Sequence, residues 1–184
     1  MYFICPGIHD RQLTEDFWQS LSQQSVALSS PLILPTDSMA PFSPWHVLQF
    51  LKGELGCSQR HSLVFISFSA GVVGAIGAAW LWQQWGNTVK AFIALDGWGV
   101  PLTGEFPIHR LSHDHFTHWS SAWLGKGQES FYADPPTEHL TLWRSPDLVT
   151  GWMVRSAPDG SQQKLPTTAA AFLTRLLQRY EPLD

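Results

Sequence analysis

The chain has 184 residues with 11 Lys+Arg against 15 Asp+Glu, a formal net charge of -4. That length suits one domain with a sizeable core and no need of disulfide or metal staples. With 44% hydrophobic and only 14% charged residues the composition excludes a disordered chain, and the acidic balance without any Lys/Arg run argues against nucleic-acid binding.

The two cysteines, Cys5 and Cys57, have no CxxC spacing, which argues against a disulfide scaffold or a cysteine-based zinc site. Ten tryptophans point to a large aromatic core, or to an apolar pocket or greasy outer face, because Trp is seldom fully buried. The first residues lack a basic region and meet Pro6-Gly7 too early for a secretory leader, so a cytoplasmic location is expected.

In chain order, 2–5 reads as a buried strand and 11–23 as a helix behind Asp10, with Leu13, Phe17 and Leu21 as its apolar stripe. A strand at 32–35 precedes a helix that opens on Ser43-Pro44 and ends at Gly56. Residues 61–68 form the most apolar strand, followed by a helix at 70–85 and a strand at 89–96. The stretch 62–89 has no charged residue and is long enough to cross a bilayer (about 20 residues). Its β-branched and aromatic start, broken at Ser-x-Ser-Ala-Gly, instead predicts a buried strand feeding a buried helix, with no integral membrane span.

Continuous apolar strands are buried on both faces, as in a parallel sheet, and strand–helix alternation points to an α/β fold with helices on both faces. Residues 97–112 read as a long loop, with Ser112 capping a short helix to about 124. Together 97–124 would form a lid segment carrying Trp98, Trp119 and Trp123. Residues 129–134 read as a strand, and 138–149 is ambiguous. A hairpin turning at Pro158-Asp159-Gly160 and a closing helix from 168 to 180 complete the chain. No domain linker interrupts residues 1–184.

The sharpest chemical signal is Ser67-Phe68-Ser69-Ala70-Gly71 between strand and helix. It follows the nucleophile-elbow pattern G-x-S-x-G, with Ser67 in place of the first glycine. Small residues two before and two after the central serine let strand and helix approach. The elbow lifts Ser69 to the N-terminus of a helix, where backbone N–H groups favour a developing anion. The plainer alternative is an ordinary strand–turn–helix with serines as caps.

On these residues the chain resembles the α/β-hydrolase superfamily in a short form lacking its first strands, and in particular small α/β-hydrolase-like proteins of cyanobacteria. The resemblance implies a minimal α/β-hydrolase fold, a serine esterase or thioesterase acting on an apolar small-molecule acyl substrate, and no cofactor. It places Pro6-Gly7 at the oxyanion loop, with proline where the superfamily has histidine, so that Ala70 and Gly7 or Ile8 would supply the N–H donors. Its order of nucleophile, acid and base selects Asp96 as acid, with Asp114 and then Glu138 in reserve. It selects His139 as base, with Glu138 where a glycine is usual, and His113 as the alternative.

His113, Asp114, His115 and His118 also crowd together, and His115 and His118 are spaced to share a helix face. No HExxH or other specific zinc pattern accompanies them, so the expectation is a polar helix start and no metal. A hydrolase fold kept for binding or assembly without turnover is the competing function, and peripheral contact with a membrane is compatible with the tryptophan content.

Overall fold

The computed structural model describes residues 1–24, 28–56, 58–125, 127–156 and 161–181. Strands β1 (Tyr2–Cys5), β2 (Leu32–Ile33), β3 (Ser62–Phe68), β4 (Thr88–Leu95), β5 (Ile108–Ser112), β6 (Glu129–Ala133), β7 (Thr150–Ser156) and β8 (Gln162–Thr168) alternate with helices α1 (Arg11–Gln24), α2 (Pro44–Leu55), α3 (Ala70–Gln84), α4 (His115–Ala122), α5 (His139–Arg144) and α6 (Ala169–Tyr180). The strands form one eight-stranded sheet in the order β2-β1-β3-β4-β5-β6-β7-β8. β2 through β6 are parallel, and β7 and β8 run antiparallel as a hairpin. The expected hairpin turn at 158–160 lies outside the described residues, as does Cys57.

Successive residues of the inner strands go to opposite cores. Tyr2, Ile4, Val64, Ile66, Ile93 and Leu95 pack with Phe17 and Leu21 of α1, Trp143 of α5 and Phe172 and Leu176 of α6. Phe3, Cys5, Leu63, Phe65, Phe92 and Ala94 pack with Leu48 and Leu51 of α2 and Ala75, Ala79 and Trp82 of α3. Both faces of the sheet are therefore covered, which is why these strands read as unbroken apolar runs. The result is a three-layer α/β architecture.

The charge-free stretch divides into β3, α3 and the start of β4. At 15 residues, α3 is about 22 Å long, well short of the roughly 30 Å apolar thickness of a bilayer. Among the described residues no helix is long and apolar enough to cross a membrane. The glycines of α3 allow close approach of neighbouring backbone: a Cβ on Gly71 would strike the Cys5 and Pro6 carbonyls, and one on Gly74 would strike Pro41.

Two expectations for the middle of the chain need correction. Residues 108–112 are not loop but the fifth strand, pairing with β4 and β6. The segment 97–124 is thus divided by a strand of the sheet. Ser112 belongs to that strand, and the cap of α4 is Asp114, whose carboxylate accepts the Thr117 N–H at 2.6 Å. The ambiguous 138–149 stretch contains α5.

The chain leaves β1 toward β2 on one side and later returns past β1 to β3, so β1 and β3 are neighbours whose following loops diverge. In open α/β sheets the carboxyl edge at such a switch is where ligands bind. Ser69 follows β3 and Pro6-Gly7 follows β1 at this edge.

Candidate active site

Ser69 is the hinge between β3 and α3. Its φ of 53° and ψ of -123° fall where a Cβ is disfavoured, and such strain persists only when surrounding structure holds it. Here the holding contact is the Ser69 N–H bond to the Leu95 carbonyl at 2.9 Å. The side chain makes no capping bond to α3, so the plain capping role does not apply. Ser67, two residues earlier, is fully buried and its hydroxyl donates to the Ile93 carbonyl at 3.2 Å. Serine is accommodated at this elbow position because the adjoining strand supplies its acceptor.

Ser69 opens on a cavity of about 540 Å³ that Asp96, His113 and His139 also line. Val73, Trp98, Val100 and Phe116 give this cavity an apolar wall. The Trp98 indole N–H donates to Ser120 Oγ at 3.0 Å and ties the loop after β4 to α4.

Asp96 follows β4 directly with a φ of 50°, and its side chain is 1% exposed. Three donors fill the carboxylate. Oδ1 accepts the His113 main-chain N–H at 2.9 Å. Oδ2 accepts from His139 Nδ1 at 2.8 Å and from His113 Nδ1 at 2.9 Å. The carboxylate thus fixes both rings in the Nδ1–H form when they are neutral and leaves each Nε2 as a base.

His139 is the first residue of α5. It approaches Asp96 because the loop after β6 is tied to the end of β5, the Thr137 N–H bonding the His113 carbonyl at 3.0 Å. Its ring stacks on Phe68, centroids 4.6 Å apart. Phe68 stacks on Trp143 at 4.8 Å, and Trp143 on Phe17 at 3.8 Å. His139 and Trp143 are four apart on α5 and share a face, so one helix presents both to Phe68. Sequence reading placed Phe17 in the core but missed this column; the spacing of His139 and Trp143 was the available signal.

His113 lies just past β5, at the same sheet edge as Ser69, and not on a covering helix as expected. Its Nε2 faces Asp114 Oδ2 at 3.5 Å. Its ring N–H hydrogen bond to the Asp96 carboxylate raises its pKa above the ordinary histidine value against the opposing effect of burial, with Asp114 and Glu138 adding to the rise. For Asp114, burial is the largest single influence and opposes ionisation, yet the Thr117 hydrogen bonds and nearby His113 and His115 hold its pKa below the usual range. Asp114 is therefore engaged in capping α4. Glu138 precedes α5 and makes no side-chain capping bond.

The crowded histidines separate. His115 and His118 both pack on Tyr132, facing a different cavity of about 410 Å³ that also includes Trp119, Trp123 and Lys164. His118 Nε2 bonds Ser130 Oγ at 2.9 Å.

On the far side of Ser69 the backbone after β1 presses against the elbow. A Cβ on Gly7 would meet Ser69 Cβ, Phe68 and His9 Nδ1. His9 in turn bonds Thr14 Oγ1 through Nε2 at 3.0 Å, and Thr14 also receives the Trp143 indole N–H at 3.3 Å. His9 and Thr14 went unnoticed in the sequence because their partner Trp143 is 129 residues from Thr14. Ala70 opens α3, and its N–H is one of the first-turn donors a helix cannot pair internally. Ile8 is exposed.

Asp96, His113 and His139 also bring potential ligand atoms within 4.8 Å of one another. The Nδ1–Oδ2 separations of 2.8 and 2.9 Å are hydrogen-bond lengths. Zinc bonds of about 2.1 Å in a tetrahedron would hold the ligand atoms about 3.4 Å apart. The group is a shared acceptor with two donors rather than a formed metal centre. Among the described residues Ser69 Oγ has no hydrogen-bond partner.

Comparison with family models and with curated proteins found no match to this chain.

Proposed function

We propose that the chain is a serine hydrolase of the α/β-hydrolase type that cleaves an ester or thioester of an apolar acyl substrate. The observation that carries this reading is the Asp96–His139 hydrogen bond of 2.8 Å in the cavity where Ser69 stands strained and uncapped. Ser69 Oγ attacks the substrate carbonyl carbon. His139 Nε2 takes the hydroxyl proton and returns it to the leaving alcohol or thiol. His139 then takes a proton from water as the water oxygen bonds to the acyl carbon, returns that proton to Ser69 Oγ as the acyl–Oγ bond breaks, and the carboxylic acid is released. Asp96 orients the ring and stabilises the imidazolium that forms.

The Ala70 N–H and one from Gly7 or Ile8 would receive the oxyanion. The close approach of Gly7 to Ser69 supports that placement. The walls formed by Val73, Trp98, Val100 and Phe116 suit an acyl chain, since an apolar pocket with few convergent polar groups is how such ligands are held. The order nucleophile, acid, histidine along the chain also agrees with the superfamily.

A fluorophosphonate probe tests the reading directly. The expected result is one label per chain, located on Ser69 by peptide mapping and absent in Ser69→Ala. A folded protein that takes no label would overturn it in favour of a binding role without turnover.

A further inference from the structure

A serine relay needs one histidine on its acid, and Asp96 carries two. Oδ2 receives His139 at 2.8 Å and His113 at 2.9 Å, and the rings lie 6.0 Å apart, centroid to centroid. We propose that His113 is a positioning residue that gates the reaction: neutral, it steadies Asp96 for His139, and protonated, it takes up the negative charge that His139 needs. This rests on the serine-hydrolase reading of the same site.

The charge arithmetic is simple. Asp96 bears one negative charge in a site where its side chain is 1% exposed. When His139 accepts the Ser69 proton, that charge balances the new imidazolium. If His113 is already an imidazolium, the same proton transfer places two positive rings about 6 Å apart on one carboxylate. At an effective dielectric of about 20–40 this disfavours the second charge roughly tenfold to a hundredfold. His113 is well placed to hold a proton, because its other ring nitrogen faces Asp114.

The surrounding charges are few. Asp96 faces His113 from the end of β4, Asp114 from the start of α4, and Glu138 and His139 from the start of α5. His115 acts on Asp114, and His9 acts on His139 from the β1–α1 loop. The carboxylates outweigh the cations around His113, and they hold its pKa above the ordinary histidine value.

The test is the second-order rate of fluorophosphonate labelling across pH 5–9. A proton on either ring stops the relay, so the acid limb of the wild type should lie at higher pH than His139 alone would set. His113→Asn keeps an uncharged donor where Nδ1 stood and keeps the main-chain bond to Asp96. Its acid limb should lie at lower pH and, relative to its own plateau, its rate at pH 6 should be severalfold above that of the wild type. Asp114→Asn, which preserves the cap of α4, should move the His113 limb to lower pH. Superimposable acid limbs in the wild type and His113→Asn, each scaled to its own plateau, overturn the proposal. Nitrogen-15 NMR of the imidazoles gives an answer independent of turnover: coupled, biphasic titrations of His113 and His139 support the gate, and two independent single curves reject it. Wild-type protein that never labels would sink the hydrolase reading, while the titration curves would still decide whether the two rings compete.

Discussion

The imidazole of His139 lies on the ring of Phe68, centroids 4.6 Å apart and planes 23° from parallel. Phe68 is the residue between Ser67 and Ser69, so one turn of backbone supplies both the strained serine and the platform for the histidine. The stack continues through Trp143 to Phe17 in the core. The ring plane of His139 is thereby set by packing, while Asp96 sets its tautomer.

Phe68→Leu should separate these two influences. Leucine keeps the site apolar but removes the aromatic face that steadies the ring and favours its cationic form. Probe labelling should fall about tenfold, with a stability loss of about 1–2 kcal/mol. In a His139→Ala background the same substitution should cause no further loss of labelling. An equal tenfold loss in both backgrounds would show that Phe68 acts without His139.

Ser69→Gly addresses the strained backbone. Glycine is at ease at a φ of 53°, whereas a side chain there costs on the order of 1–3 kcal/mol. After glycine's own entropic cost the net gain should be about 1 kcal/mol, a rise of roughly 2–4 °C in Tm for a chain of this size. Labelling should disappear. A fall in Tm would mean that the Ser69 side chain contributes packing that outweighs its strain.

The legible parts of this chain were those whose neighbours are local. The apolar run of β3, the small residues around Ser69 and the glycine-rich α3 announce a buried strand, an elbow and a closely packed helix within a dozen residues. β5 was missed because His109 and Arg110 break its apolar pattern. Partners outside the strand meet much of their polarity: His109 Nε2 meets the Tyr180 hydroxyl at 2.9 Å, and Arg110 donates to the carbonyls of Gly125, Leu124 and Val100. With β5 unseen, His113 was assigned to a helix after a loop, and its place beside Asp96 could not be inferred. α5 stayed ambiguous because six residues are too few to show a helical period.

Metal removal gives a third prediction. If Asp96 works as a hydrogen-bond acceptor for two histidines, labelling after exhaustive dialysis against EDTA should equal that of untreated protein. Loss of labelling that is restored by a divalent cation would mean that the 2.8 and 2.9 Å contacts open to admit an ion.

Acid stability provides the last prediction. Burial pushes the pKa of His109 and of His118 down to about 4. In the unfolded chain both should titrate near 6.5. The unfolded state therefore binds more protons between about pH 6.5 and 4, and stability must fall as pH falls through that window. Above about 6.5 the contribution is fully present. Each lowered pKa corresponds to at most about 3 kcal/mol; His118 is only partly buried, so its share should be smaller. Urea unfolding at pH 7 and at pH 4.5 should show a loss of several kcal/mol. His118→Gln keeps a donor near the position of Nε2 for Ser130 and removes the titrating group. Its stability should decline less steeply with acid than that of the wild type. Parallel declines in the two proteins would show that His118 is not one of the groups resisting protonation in the folded state.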